Sequence, residues 1–147
     1  MSRVDELMNK YGRVTIHITS KDRGMELALV LESLRKQSYK LWDLILLDDG
    51  SSTQTFGHAT IQMLTNRIKL EKHYVKMVRS NNSFGVCYAR QKCIDIDDFG
   101  NNFCARIDDD VLLETDFLEK LFEVIDAGYD MASGIVPQTG QPEFKRQ

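Results

Sequence analysis

Short apolar runs alternate with amphipathic stretches along this chain, and that alternation predicts a parallel sheet joined by crossover helices. Val14-Thr15-Ile16-His17-Ile18 is rich in β-branched residues and reads as a first strand. Asp22 and Gly24 then open a helix whose apolar face is Leu27, Val30, Leu31 and Leu34, at the i, i+3, i+4, i+7 spacing of one helical side. Leu41 to Leu47 forms a second strand, ended by the polar turn Asp48-Asp49-Gly50-Ser51-Ser52. Ile61, Leu64 and Ile68 mark a second helix, with its start left open by Gly57, and Val75 to Val78 a third, short strand. After the Asn81-Asn82-Ser83-Phe84-Gly85 turn comes a helix with Val86, Ala89, Arg90 and Cys93 on adjoining faces. Phe103 to Ile107 makes a fourth strand that runs straight into Asp108-Asp109-Asp110. Thr115 and Asp116 are expected to cap a last helix carrying Leu118, Leu121, Phe122 and Ile125, closed by Gly128, and Met131 to Val136 is a candidate fifth strand. The expected class is α/β, an open and mostly parallel sheet with helices on both faces. No repeat or linker divides the chain, so 1–147 reads as a single domain.

In such a sheet the strands end on one edge, and ligands bind beyond their carboxyl ends. Three strands here end in polar residues, at Thr19-Ser20-Lys21-Asp22, at Asp48-Asp49 and at Asp108-Asp109-Asp110. Those ends are expected to converge on one crevice. Composition narrows the classes of partner. A formal charge of -3 with interspersed signs gives no field to hold nucleic acid or an anionic membrane nonspecifically. The apolar runs are only strand-sized, so no membrane segment is expected, and no secretory signal pattern opens the sequence. Cys87, Cys93 and Cys104 form no CxxC pair and have no His at ligand spacing, which favours reduced thiols over a zinc site and a cytoplasmic location.

Three consecutive carboxylates at a strand end repel one another, and folding does not require them. A divalent cation is the natural compensation, because Mg²⁺ and Mn²⁺ prefer oxygen ligands and share them with substrate phosphates. An extended backbone would put Asp108 and Asp110 on one side and Asp109 on the other. A solvated acidic turn is the alternative. Asp48-Asp49-Gly50-Ser51-Ser52 is by itself explained as a turn. Arg90, on a helix after a glycine turn, could reach a diphosphate bidentately, or be an ordinary solvated helix arginine. His17 reads as a hydrogen-bonded core residue, while His58 and His73 sit in polar surroundings and carry no signal. Asp95, Asp97, Gly100 and Asn101 suggest a calcium loop only superficially, since Phe99 takes a ligand position and Arg106 stands where the bidentate Glu belongs.

Together these segments resemble the inverting family 2 glycosyltransferases, which share the GT-A fold. Val14-Thr15-Ile16-His17-Ile18-Thr19-Ser20-Lys21-Asp22-Arg23 matches the family's opening strand and its polar end, with Lys21 and Asp22 standing where members carry Tyr and Asn. Gln37-Ser38-Tyr39 and then Trp42 to Ser52 look like the family's second strand and its Asp-Asp-Gly-Ser end. Asn82, Gly85, Ala89 and Arg90 are similar to an N-x-G-x-x-x-A-R segment with one extra residue after the Asn. Arg106-Ile107-Asp108-Asp109-Asp110 stands where the family has its DXD motif. Four segments in the right order cover Val14 to Val136.

The resemblance implies the nucleotide-sugar-binding half of a glycosyltransferase with a UDP-linked donor favoured and the acceptor unknown. It implies that Thr19, with Ser20 beside it, and Asp49 hold the nucleobase, that Arg90 and Asn82 lie near the nucleotide, and that Asp108 or Asp109 meets the ribose. Asp110, helped by Asp108, would hold Mn²⁺ or Mg²⁺ on the diphosphate. Family members continue into an acceptor-binding half that supplies the general base. The sequence after Asp110 has no matching acidic motif, so the chain is expected to be incomplete, to bind donor without transferring sugar, and to self-associate through an edge left after Val136. Glu114, Asp116, Glu119 and Glu123 belong to the next loop and helix and are not assigned as the base. A non-catalytic nucleotide-sugar-binding module is the alternative. Asp108-Asp109-Asp110-Val111 also matches the D-x-D-x-[TV] start of haloacid-dehalogenase-type phosphatases, but that motif follows a first strand and needs a downstream Lys.

Overall fold

The computed structural model describes residues 1–135. Its strands are β1 (Val14–Ser20), β2 (Trp42–Asp48), β3 (Val75–Arg79) and β4 (Phe103–Arg106), and its helices α1 (Arg3–Tyr11), α2 (Gly24–Arg35), α3 (Ala59–Leu70), α4 (Val86–Asp95) and α5 (Phe117–Asp126). The strands form one parallel sheet in the order β3-β2-β1-β4. Helices α2 and α3 carry the chain stepwise from β1 to β2 to β3, and α4 then carries it back across β2 and β1 to β4. Right-handed crossovers make that reversal of direction a change of face. Accordingly Val14, Ile16, Ile18, Trp42, Leu44 and Leu46 pack in a large core with Leu27, Leu31 and Leu34 of α2 and Ile61 and Ile68 of α3. Ile45 and Leu47, alternate residues of β2, pack instead under Ala89 and Cys93 of α4. The whole of β2 is buried, as an inner strand covered on both faces must be.

The order 3-2-1-4 has its topological switch point between β1 and β4. Val14 pairs with both Trp42 and Phe103, and β4 stops at Arg106, opposite His17. The residues after Arg106 therefore leave the sheet beside the carboxyl end of β1, with the Ile107 N–H still bonded to the His17 carbonyl at 3.0 Å.

Four features differ from the sequence expectation. Helix α1 was not foreseen. Ser2 and Asp5 close a capping box at its start, and Asp126 clasps it to α5 by accepting from Arg3 Nη2 and Lys10 Nζ at 2.6 Å and from Tyr11 Oη at 2.7 Å. Helix α5 is not capped by the side chains of Thr115 or Asp116; its Leu118 N–H donates to Gln37 Oε1 at 3.0 Å, from a buried glutamine at the end of α2. Asp116 pairs with Lys120 at 2.7 Å, and Gly128 does close the helix with φ +98°. Met131 to Ile135 pair with no strand, and Val136 lies outside the described residues. His73 is buried, stacked on Trp42 at 3.6 Å with Nδ1 2.6 Å from the Trp42 carbonyl oxygen, rather than set in polar surroundings. Among the described residues no helix is long and apolar enough to cross a membrane.

Candidate functional site at the carboxyl edge of the sheet

At the switch point lies a crevice of about 370 Å³ lined by Thr19, Ser20, Lys21, Arg23, Asp49, Ser83, Gly85, Val86, Ala89, Arg90, Asp108, Asp109 and Asp110. Three loops build it, and each is fastened to another. Asp22 adopts left-handed φ (+55°) at the end of β1, and its Oδ1 accepts from the Ser52 N–H at 2.6 Å and the Ser52 hydroxyl at 2.8 Å. The Asp22 N–H donates to Ser51 Oγ at 2.8 Å, so the loops after β1 and β2 are stitched together. Gly50 has φ +67°, and a Cβ there would stand 2.5 Å from the backbone of Asn82 and Ser83. Only glycine allows the loop after β2 to lie against the loop before α4.

Asp49 holds that second contact from the side-chain end. Its carboxylate accepts from the Ser83 hydroxyl at 2.9 Å and from the N–H groups of Phe84 and Gly85 at 3.0 Å each. Burial alone would push the Asp49 carboxyl up, but these three donors and the nearby Lys21 outweigh it and hold it below the usual carboxylate range.

The acidic triplet does not continue the strand. Asp109 and Asp110 lie in a turn, so the extended alternation expected of the three carboxylates fails. Asp109 Oδ1 and Asp110 Oδ2 instead meet one guanidinium nitrogen, Arg23 Nη1, at 3.2 and 2.5 Å. Asp108, expected beside Asp110, is turned to Arg90, whose Nη2 donates to it at 3.1 Å. Two buried polar atoms in the lining have no hydrogen-bond partner, Ser20 Oγ and Arg90 Nε.

Of the residues named from the sequence, Thr19, Ser20, Asp49, Arg90, Asp108, Asp109 and Asp110 surround this crevice and Asn82 does not; what Asn82 contributes is the backbone that backs Gly50. Lys21, expected only as a departure from the family pattern, and Arg23, three residues after Ser20, also line the crevice; neither has a site role in the sequence reading. His17 lies away from it, bonded through Nε2 to Asp97 at 2.9 Å. The three cysteines are free, with Cys93 buried under β2.

Among the described residues no three His, Cys, Asp or Glu side chains converge closely enough to hold a metal by themselves. The donor set still suits a hard divalent cation of the kind that takes one or two carboxylates and completes its shell with water and phosphate oxygens. Asp109 and Asp110 already converge on a single cationic nitrogen, so two carboxylates reach one point.

The glycosyl transferase family 2 model matches residues 15–147. Among solved structures, S. aureus TarS superposes with a TM-score of 0.62 at 16% identity, covering 78% of this chain and 20% of that one. The TarS 1-349 structure gives 0.63 at 17% identity, and TarS 1-349 in complex with UDP gives 0.62 at 16%, each covering 78% of this chain and 32% of that chain. The chain thus spans between a fifth and a third of the length of the structures it matches. Identities this low carry the fold alone. No curated protein matches the chain.

Proposed function

The chain belongs to glycosyl transferase family 2 and has a GT-A-like α/β fold, and from that premise we propose that its crevice binds the nucleoside diphosphate of a sugar donor together with a divalent cation. The observation that supports this most is the charge balance of the crevice. Its lining carries four carboxylates, Asp49 and Asp108 to Asp110, against the three cations Lys21, Arg23 and Arg90. A diphosphate entering alone would meet net repulsion, whereas a diphosphate entering with a divalent cation would not.

In this reading Thr19, Ser20 and Asp49 take the nucleoside end. A carboxylate has about four lone-pair sites, and three hydrogen bonds from 83–85 leave Asp49 room for one base N–H. Asp108 takes a ribose hydroxyl, and Arg90, with its Nε unpaired, takes phosphate oxygen. Asp110, with Asp109 beside it, holds Mn²⁺ or Mg²⁺. When bound, that ion stabilises the negative charge left on the diphosphate as the glycosidic bond breaks. The sugar passes to an acceptor hydroxyl whose proton needs a general base, and we assign that base to none of the described residues.

UDP is the first probe, being the nucleotide held by the similarly folded TarS 1-349. The test is a thermal-shift titration of the chain with UDP, with and without Mn²⁺. A ligand at a hundredfold excess over Kd stabilises by about 2.7 kcal/mol, a readily seen shift. We expect it with UDP and Mn²⁺ together; equal UDP binding in EDTA would remove the metal from this reading, and no shift with any nucleoside diphosphate would remove the reading itself.

A further inference from the structure

We propose that Arg23 is an exchangeable counter-ion: it sits between Asp109 and Asp110 in the crevice and passes to the diphosphate when metal and nucleotide enter. The inference rests on the reading of Asp109 and Asp110 as the metal end of the crevice. Among the described residues, Arg23 is the group that hydrogen-bonds both carboxylates, through a single nitrogen. The Asp109 side chain is only 10% exposed, so it requires a cation; that of Arg23 is 50% exposed, so it can leave.

The backbone that carries Arg23 is fixed. Asp22 is bonded to Ser51 and Ser52, and the Arg23 carbonyl accepts the Leu27 N–H of α2 at 2.9 Å. Exchange therefore needs side-chain rotation and no loop movement, which makes it fast. Its destination lies within the same crevice, where a planar guanidinium fits phosphate oxygens in a way an ammonium does not.

The exchange couples the two ligands. Metal alone must evict Arg23 and leave it without a counter-charge. Nucleotide alone must draw Arg23 off and leave Asp109 and Asp110 uncompensated. Entering together, each supplies what the other removes, and by linkage each raises the affinity of the other by the same factor.

The experiment measures Mn²⁺ binding by electron paramagnetic resonance, without nucleotide, for the wild type, Arg23→Ala and Arg23→Gln. Arg23 is solvent-exposed and its ion pairs are correspondingly weak, so both variants should bind Mn²⁺ only roughly fivefold more tightly than the wild type. With UDP present the order reverses: the variants lose the guanidinium on phosphate, and UDP at saturating Mn²⁺ should weaken by roughly tenfold. Arg23→Lys keeps the charge without the planar fork, so its affinity for Mn²⁺ alone stays near wild type while UDP still weakens. Circular dichroism melts confirm that each variant is folded. No gain in Mn²⁺ binding on removing Arg23 overturns the exchange, even where UDP binds well. Failure of UDP to bind the wild type with Mn²⁺ overturns the nucleotide reading, a separate outcome.

Discussion

Two charged clusters flank β1, and they differ in whether their hydrogen bonds close. Toward its amino end, Asp43 is 1% exposed and accepts from Arg13 Nε and Nη2 at 2.7 and 2.6 Å, from the Tyr74 N–H at 2.9 Å and from Asn101 Nδ2 at 3.1 Å. Asn101 also reaches Thr15, and His17 bonds Asp97, so the network ties β1, β2 and the loops at residues 72–74 and 97–101 together. Toward the carboxyl end, the crevice leaves Ser20 Oγ and Arg90 Nε unpaired and holds Asp108, Asp109 and Asp110 with partly exposed arginines. Both clusters mix Asp with Arg, yet only the first is complete by itself. The closed network is accounted for by the fold alone, whereas the open one is where the proposed ligands would supply the missing partners.

The largest expected effect breaks the closed cluster. Arg13→Ala leaves the Asp43 carboxylate buried without its cation, a change that typically costs about 3–5 kcal/mol. Urea denaturation should show that loss as a lower midpoint at constant slope, while UDP affinity with Mn²⁺, measured well below the midpoint, stays within twofold. A loss under 1 kcal/mol would show that this network carries no more than an exposed ion pair does.

In the open cluster the expected pattern is the inverse. Asp110→Asn should weaken UDP binding in Mn²⁺ on the order of a hundredfold, at the upper end of what disturbing metal partners causes, with little change in stability. Asp130→Asn, at an exposed position after α5, should leave both unchanged. Calorimetry on the two variants decides it, and equal UDP affinities would detach Asp110 from the metal.

Why some of this was legible in the sequence and some was not follows from range. The β-branched run of β1 and the Leu27, Val30, Leu31, Leu34 stripe of α2 are local signals, and strand order makes their polar ends meet. The Ser2-Asp5 capping box is a local signal too, with Val4, Leu7, Met8 and Tyr11 at helical spacing behind it. Other features are non-local. A strand at 131–135 needs a partner that apolar composition cannot supply. The cap on α5 comes from Gln37, and Asp49 is engaged by a loop 34 to 36 residues away. Extended alternation failed at Asp109 because β4 ends before the triplet, so a period of two no longer applies.

A smaller effect tests the close approach of the crevice loops. Gly50→Ala places a methyl against the Asn82–Ser83 backbone and forces a left-handed alanine, costing about 1–2 kcal/mol for the conformation before any clash. The closed cluster is distant in contact terms, so the loss should fall on the crevice. UDP affinity should drop along with stability, unlike the Arg13→Ala case. Retained wild-type affinity would mean that the 81–85 loop does not shape the site.

The smallest effect separates the clusters by pH. Asp43 and Asp49 both have carboxyls held below the usual range: in each, burial pushes upward and hydrogen bonds outweigh it, chiefly from Arg13 for Asp43 and from Phe84, Ser83 and Gly85 for Asp49. A depressed folded-state pKa contributes stability that is fully present above the unfolded value, roughly 3.9, and is lost as pH falls through the folded value. Each proton contributes at most about 1.4 kcal/mol per pH unit. Protonating Asp43 disturbs β1, β2 and the residues bonded to them, so its titration should accompany global unfolding. Protonating Asp49 releases only Ser83, Phe84 and Gly85. The amide resonances of Phe84 and Gly85 should therefore shift together with a midpoint below about 3.9, and Asp49→Asn should abolish that shift while leaving the rest of the acid transition in place. A midpoint at or above the free-Asp value would mean that the three hydrogen bonds do not outweigh burial. The loop would then be held by Gly50 and the Asn82 backbone rather than by the Asp49 charge.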